Sequence, residues 1–233
     1  MAGLLYLLEE VNGLTVQEFM QVFGNVVEDR PGVAAHVAAL RPFSGVEQLT
    51  DAALLYLDTL PLDGKRFQGG VKGDPSLGQY FCRCVCNQAI PTEQPLLLVM
   101  IVPTFADRGC NVNMITDTCL FHTGKEEVLR CHPDLAGRLS EEGKLTAESA
   151  REQHAAGLHK LTLENKRDID QLNKRYKEKF GFPFVICARE NKANAILLGL
   201  KRRLDNSKES ELEEGIQEVK KICRLRICEL VSQ

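Results

Sequence analysis

Apolar residues recur at the three- and four-residue spacing of amphipathic helices near both ends of the chain. Thr15 and Glu18 have the spacing of a capping box, which places the start of one such helix. A second helix is predicted over 46–60 from its apolar stripe, which consists of Leu49, Ala53, Tyr56 and Leu60.

The second half of the chain repeats this helical pattern. Thr146 is a favourable N-cap for a helix that runs to about Gly157, and Gly181 is placed to end a long helix before it. The apolar run 182–187 that follows Gly181 is predicted to be extended and buried, and two more helices are predicted after it, over about 191–204 and 209–231. With roughly seven helices and little strand pattern, the sequence predicts an all-α bundle.

Residues 66–125 differ, because Gly, Pro and Cys interrupt them too often for a packed helix. The dipeptide Gly-Lys occurs at 64–65 and again at 124–125, so removing the segment would leave one continuous sequence with a single Gly-Lys. We therefore interpret residues 1–233 as one domain with an irregular or disordered insertion at 66–125.

The composition of the chain argues against several classes of function. The chain is 44% hydrophobic and 26% charged, with a formal net charge of −3, which gives no electrostatic reason to expect nucleic acid or an anionic membrane as partner. The longest apolar run, 96–102, is too short to span a bilayer. The first ten residues lack the pattern of a signal peptide, so we expect an intracellular soluble protein whose nine cysteines are reduced.

An arginine interrupts the apolar stripe of the last predicted helix. Leu212, Ile216, Val219, Cys223 and Leu230 form this stripe, and Arg226 projects within about 40° of its direction. A core-facing guanidinium needs an anionic partner. Two interpretations stay open: a structural ion pair with a buried carboxylate, or a clamp for a substrate carboxylate.

One face of the helix that follows Thr146 is polar. Ser149, Glu152 and Gln153 share this face because their spacing is that of helical neighbours. The face is either solvated surface or part of a binding site that offers a hydroxyl, a carboxylate and an amide together.

His132 directly precedes Pro133, a residue suited to the first position of a helix. The histidine is therefore expected at or just before an N-cap. It either caps backbone amides or acts as a general acid and base, since histidine titrates near neutral pH.

The insertion is rich in cysteine. Cys82, Cys84 and Cys86 are spaced more closely than is usual for zinc ligands, although Cys119 and His122 complete a conceivable four-ligand set. The alternative is an irregular segment with free thiols.

Six motifs in order resemble the OHCU decarboxylase family, where OHCU is 2-oxo-4-hydroxy-4-carboxy-5-ureidoimidazoline. They are FGNVVE (23–28), RPF (41–43), LRCHPDLAG (129–137), LTAESAREQ (145–153), FGFPFVICAR (180–189) and EVKKICRLR (218–226). The resemblance covers 15–65 and 126–230. It implies an all-α, cofactor-free, homodimeric carboxy-lyase without a metal, which converts OHCU to (S)-allantoin in urate degradation, a part of purine catabolism.

The resemblance also implies roles for individual residues. The catalytic set would be His132, Glu152 and Arg226. The substrate-binding set would be Pro133, Ser149, Gln153, Phe184, Val185, Ile186, Cys187 and Ala188.

Two features depart from the family pattern. The insertion interrupts it just upstream of His132, so a catalytically inactive isoform that acts as a helical binding module, with a Cys-rich and zinc-binding insertion, is the alternative function. A peroxisomal location is implied by the resemblance, but the ending Val231-Ser232-Gln233 is not an S-K-L type signal, and the cytoplasm is the other expectation.

Overall fold

The structure, a computed structural model, describes residues 5–62 and 124–232. These residues form an all-α fold, as the sequence predicts, and contain ten α-helices rather than about seven. In chain order the helices are α1 (Leu8–Gly13), α2 (Val16–Phe23), α3 (Pro31–Ala38), α4 (Val46–Thr59), α5 (Lys125–Arg130), α6 (Arg138–Glu141), α7 (Ala147–Ala155), α8 (Leu163–Phe180), α9 (Ala193–Arg203) and α10 (Lys208–Leu230).

Local signals in the sequence position several helix ends. Thr15 accepts a hydrogen bond from the Glu18 amide, and Glu18 bonds back to Thr15, so the predicted capping box begins α2. Thr146 caps α7 in the predicted way by accepting from the Ser149 amide. Gly181 ends α8 with a φ of 84°, a left-handed conformation that glycine adopts without the steric cost of a side chain.

The longest helix, α10, is the centre of the packing. It contacts α2, α4 and α5, while α3 packs between α2 and α4. Its predicted apolar stripe is buried except for Leu230, which is partly exposed, and Arg226 is buried with it at 3% exposure. On α4 the predicted Leu49 and Ala53 are buried, whereas the predicted Tyr56 is only partly buried and its neighbour Leu57 is buried instead.

The prediction that a helix begins at Pro133 is wrong. His132 instead follows the end of α5, and its amide bonds back to the carbonyl of Leu129. Proline disfavours helical geometry in the residue before it and has no N–H to donate, so Pro133 ends a helix here. The next helix begins only at Arg138.

The segment predicted as an insertion lies outside the described residues, apart from its last two residues. Gly124 is the N-cap of α5 and Lys125 is its first residue, so these two belong to the helical fold. The Lys125 amide donates to the Pro61 carbonyl at 2.8 Å, and the Glu126 amide donates to Leu62 at 3.3 Å. The two described flanks of the segment are therefore hydrogen-bonded to each other.

Among the described helices, none combines the length and the apolar character that a membrane span requires.

Candidate active site

A cavity lies between the loop after α5, helix α7, the extended segment 182–188 and helix α10. Its empty volume, which includes the opening to solvent, is about 350 Å³. The cavity is lined by His132, Pro133, Leu135, Ser149, Glu152, Gln153, Phe184, Val185, Ile186, Ala188, Ile222 and Arg226.

His132 is held in one protonation form. Its Nδ1 lies 2.9 Å from the carbonyl oxygen of Val128, which can only accept, so Nδ1 carries the proton and donates it. Its Nε2 is buried and has no partner in the described residues. Burial lowers the pKa of His132 to about 4, against the opposing effects of the Val128 bond and of Glu28. The imidazole is therefore neutral at pH 7 and has a free basic nitrogen in a cavity wall.

The loop after His132 is fixed by Gln153 of α7. The side-chain oxygen of Gln153 accepts from the amide of Ala136 at 2.9 Å, and Ala136 has a φ of 51°. A positive φ is uncommon for a residue with a side chain, so this bond stabilises a costly turn. Because its oxygen is occupied, Gln153 can offer a ligand the two N–H donors of its amide.

Arg226 reaches the site from α10. Its Nε and Nη2 donate to the two carboxylate oxygens of Glu152 at 2.7 and 2.8 Å, and Nη2 also donates to Ser149 at 3.3 Å. Its Nη1 donates to the Asn25 carbonyl and to Glu28, both at 2.8 Å. All five N–H donors are thus paired with protein oxygens, which matches the structural ion pair considered from sequence. A clamp on a substrate carboxylate would require one of these partners to move.

Glu28 is a site residue that the sequence reasoning missed. It lies in the loop after α2 and is 2% exposed. One oxygen accepts from the Thr146 hydroxyl at 2.6 Å, and the other accepts from Ser149 at 2.9 Å and from Arg226. Burial raises the pKa of Glu28, but the charge of Arg226 and these hydrogen bonds together outweigh burial and lower it below its usual value. The carboxylate therefore stays ionised.

The extended segment 182–188 forms the opposite wall and is held from behind by two buried charged residues. Arg203 donates to the Val185 carbonyl at 2.7 Å, stacks over the Phe184 ring and is ion-paired with Glu211. Glu218 accepts from the Cys187 amide at 2.8 Å. These anchors keep the wall extended, as the sequence predicts, although no sequence pattern indicates the anchors themselves.

The structure brings ten of the eleven predicted site residues to one cavity. The exception is Cys187, which is fully buried and does not line the cavity, and whose N–H donates to Glu218 on α10. Leu135 and Ile222 line the cavity without having been predicted. The proposed zinc ligands of the insertion lie outside the described residues, and among the described residues no cluster of His, Cys, Asp or Glu could hold a metal ion.

Comparison with known proteins identifies the family. The sequence model of OHCU decarboxylase matches residues 12–228. The chain belongs to the OHCU decarboxylase family. Similar relatives are the 2-oxo-4-hydroxy-4-carboxy-5-ureidoimidazoline decarboxylases of Xenopus laevis and Mus musculus. The first is 34% identical over 96% of this chain and 93% of its own length, and the second is 35% identical over 96% and 92%.

A solved structure supports the fold of this OHCU decarboxylase family member. The crystal structure of (S)-allantoin synthase aligns with a TM-score of 0.51 and 16% identity, and covers 97% of this chain and 54% of that chain. At this identity the likeness concerns the fold alone.

Proposed function

We propose that this chain decarboxylates OHCU to (S)-allantoin in urate degradation. One observation of the site carries this proposal: the unpartnered Nε2 of a neutral histidine lies in a cavity that Glu152 also lines. The membership of the OHCU decarboxylase family supplies the substrate.

The chemical name of the substrate defines what the site must do. OHCU carries a carboxylate and a hydroxyl on one ring carbon, next to a carbon that bears the ureido group and a ring C=N bond. When the C–C bond to the carboxylate breaks, CO₂ leaves and the electron pair passes through this C=N bond to the ring nitrogen, which takes up a proton from solvent. The hydroxyl then loses its proton as it becomes a carbonyl, and the ureido-bearing carbon gains one.

His132 fits the two proton transfers. Its free Nε2 would accept the hydroxyl proton and then return a proton to one face of the neighbouring carbon, which would set the S configuration. The carboxylate of Glu28 favours the imidazolium that forms, while Arg226 and Arg30 oppose it. The Glu28 charge therefore stabilises the protonated intermediate relative to the resting, neutral histidine.

Arg226 would act mainly through Glu152. Because the guanidinium is saturated, we propose that it holds Glu152 against the substrate and does not bind the leaving carboxylate tightly. A strong ion pair with that carboxylate would stabilise the ground state and would be lost as CO₂ forms, which would raise the barrier.

Polar groups around the cavity would orient the ureido group and the ring. Within the described residues, the N–H groups of Val185, Ile186 and Ala188 donate no hydrogen bond. These amides and the free amide donors of Gln153 match the carbonyl oxygens of a ureido group and a ring. Pro133 and Phe184 would supply apolar contact.

The resemblance also leads us to propose a homodimer and a peroxisomal location. Sedimentation of the purified chain tests the first, with a mass of one chain as the result against it. Imaging of a tagged chain beside a peroxisomal marker tests the second, with uniform cytoplasmic signal as the result against it.

The proposed reaction is tested with freshly prepared OHCU and chiral analysis of the allantoin formed. The His132→Gln variant should lose most of the rate, while His154→Gln, which alters an exposed histidine on α7, should keep it. Wild-type rates in a folded His132→Gln variant would refute the assignment.

A further inference from the structure

Glu28 differs from the other site residues because it bonds to Ser149 and Arg226, which line the cavity, but does not line the cavity itself. Its two oxygens accept from Thr146, Ser149 and Arg226. These partners lie on α7 and α10 or at the N-cap of α7, whereas Glu28 itself lies in the loop after α2. The carboxylate therefore connects two helices that carry site residues.

The guanidinium of Arg226 is divided between two carboxylates. Glu28 and the Asn25 carbonyl occupy Nη1, and Glu152 occupies Nε and Nη2 with near-ideal distances of 2.7 and 2.8 Å. A planar guanidinium has a fixed fork of donors, so fixing one nitrogen fixes the direction of the opposite edge. The position of Glu152 on the cavity wall thus depends on what holds Nη1.

We propose that Glu28 is a positioning residue for the decarboxylation: it holds Nη1 of Arg226 so that the opposite edge of the guanidinium fixes Glu152 at the substrate. The inference rests on the proposed function only for its effect on rate. The part of the inference that concerns geometry, that Glu28 orients Arg226, does not depend on which substrate binds.

Charge adds a second consequence. Glu28 raises the pKa of His132, while burial, Arg226 and Arg30 lower it. The charged groups that act on His132 are thus Glu28 from the loop after α2, Arg30 at the start of α3 and Arg226 on α10. Glu152 on α7 lines the same cavity as His132. Removing the charge of Glu28 should move the acid limb of the rate profile to lower pH, which a purely structural residue would not do.

The kinetic test compares Glu28→Gln with Glu148→Gln. Glutamine keeps the length of Glu28 but not its charge. Glu148 bonds the Asn25 side chain at 2.7 Å in the same contact between loop and helix, and has no contact with Arg226. We expect Glu28→Gln to lower kcat about 10- to 100-fold with KM within about threefold, and Glu148→Gln to behave as the wild type. Equal kcat in both variants would overturn the proposal.

A second variant covers the case in which Glu28→Gln does not fold. Glu28→Asp keeps the charge, but it is shorter by one methylene and cannot reach all three partners. It should also lose kcat if position is what matters, and a wild-type rate in a folded Glu28→Asp variant would contradict the inference.

Nuclear magnetic resonance of ¹⁵N-arginine protein separates this inference from the proposed function. The Arg226 Nε–H signal, assigned by its loss in Arg226→Lys, should exchange at least about tenfold faster with water in Glu28→Gln than in wild type or Glu148→Gln. If the wild type does not decarboxylate OHCU, the proposed function is wrong and the exchange rate alone decides the role of Glu28. An unchanged exchange rate would show that Glu28 does not orient Arg226.

Discussion

The two nitrogens of His132 have different environments, and the difference determines how the rate should depend on pH. Nδ1 donates to Val128 and Nε2 is free, while burial lowers the pKa of the ring to about 4. In the proposed reaction the neutral ring is the base, so activity that depends on it should be retained as pH falls from 8 to about 5. We expect the acid limb of kcat/KM to have its midpoint near 4.

This pH profile is measured from initial rates on fresh substrate and normalised to the folded fraction. Normalisation is needed because a histidine with a lowered pKa in the folded state makes the protein less stable as pH falls from 6.5 towards 4. A midpoint between pH 6 and 7 would indicate a solvated histidine and would contradict the site described above.

Arg226 should be essential for stability as well as for geometry. Its removal leaves Glu28 and Glu152 buried close together without a counter-charge, and breaking a buried ion pair on one side costs about 3–5 kcal/mol. We therefore expect Arg226→Met to lower the melting temperature by about 10 °C, as measured by thermal unfolding at pH 7.

The matched control lies two residues away on the same helix. Arg224 pairs with Asp51 at 3.6 Å, and both side chains are at least half exposed. Arg224→Met should change the free energy of unfolding by no more than about 0.5 kcal/mol. A similar loss of stability in both variants would mean that the buried ion pairs of Arg226 stabilise the protein no more than the exposed ion pair of Arg224 does.

Residues on regular helices were easier to predict than residues in loops. The helical period gave the direction of Arg226, and the spacing in α7 grouped Ser149, Glu152 and Gln153. Glu28 was missed because its loop has no period from which a side-chain direction can be read. Cys187 was assigned to the cavity by the family resemblance, and the apolar run 182–187 indicates burial but not which side chains face a ligand.

At the scale of elements, the position of His132 depends on how closely α5 packs against α10. Gly215 of α10 lies against Leu129 of α5, and a Cβ at this glycine would come within 2.9 Å of the leucine methyl groups. The carbonyl that holds His132 belongs to the adjacent residue, Val128. A shift of α5 would therefore move the imidazole of His132.

We expect Gly215→Ala to lower kcat by about tenfold or more through this shift, despite the better helix propensity of alanine. Gly199→Ala is the control. A Cβ there would meet Ile186 and Phe184 at ordinary distances of 3.6 and 3.7 Å, so the variant should be as active as wild type and slightly more stable. Equal kinetics for the two variants would show that close packing at Gly215 does not position His132.

The elements also show why the start of a helix was predicted at the wrong place. Proline is common in the first turn of a helix and equally common just after one, so His132-Pro133 is compatible with both positions. The preceding helix could not be recognised from its pattern, since α5 has only six residues and follows directly on the insertion.

For the whole molecule, the flanks of residues 66–125 predict what their deletion will do. In a chain that lacks 66–125, Gly64-Lys65 would stand where Gly124-Lys125 stand now. The observed bonds from 125 to 61 and from 126 to 62 would then join residues four apart, the spacing of a helical turn. The flanks can therefore close without moving α4 or α5.

We expect the 66–125 deletion to fold and to keep kcat/KM within about threefold of the full chain. Far-ultraviolet circular dichroism and the decarboxylation assay measure the two properties. Loss of activity on deletion would mean that the segment contributes to the site. Activity that appears only on deletion would support the alternative of an inactive isoform.

The stereochemistry of the product tests the central claim most directly. Protonation of the planar intermediate in water has no facial preference and gives racemic allantoin, whereas delivery from His132 on one wall of the cavity gives one enantiomer. The full chain is mixed with fresh OHCU, and the enantiomeric composition of the allantoin is measured before the spontaneous reaction has advanced. We predict accelerated loss of OHCU and (S)-allantoin as the product. Racemic allantoin formed at the uncatalysed rate would contradict the account.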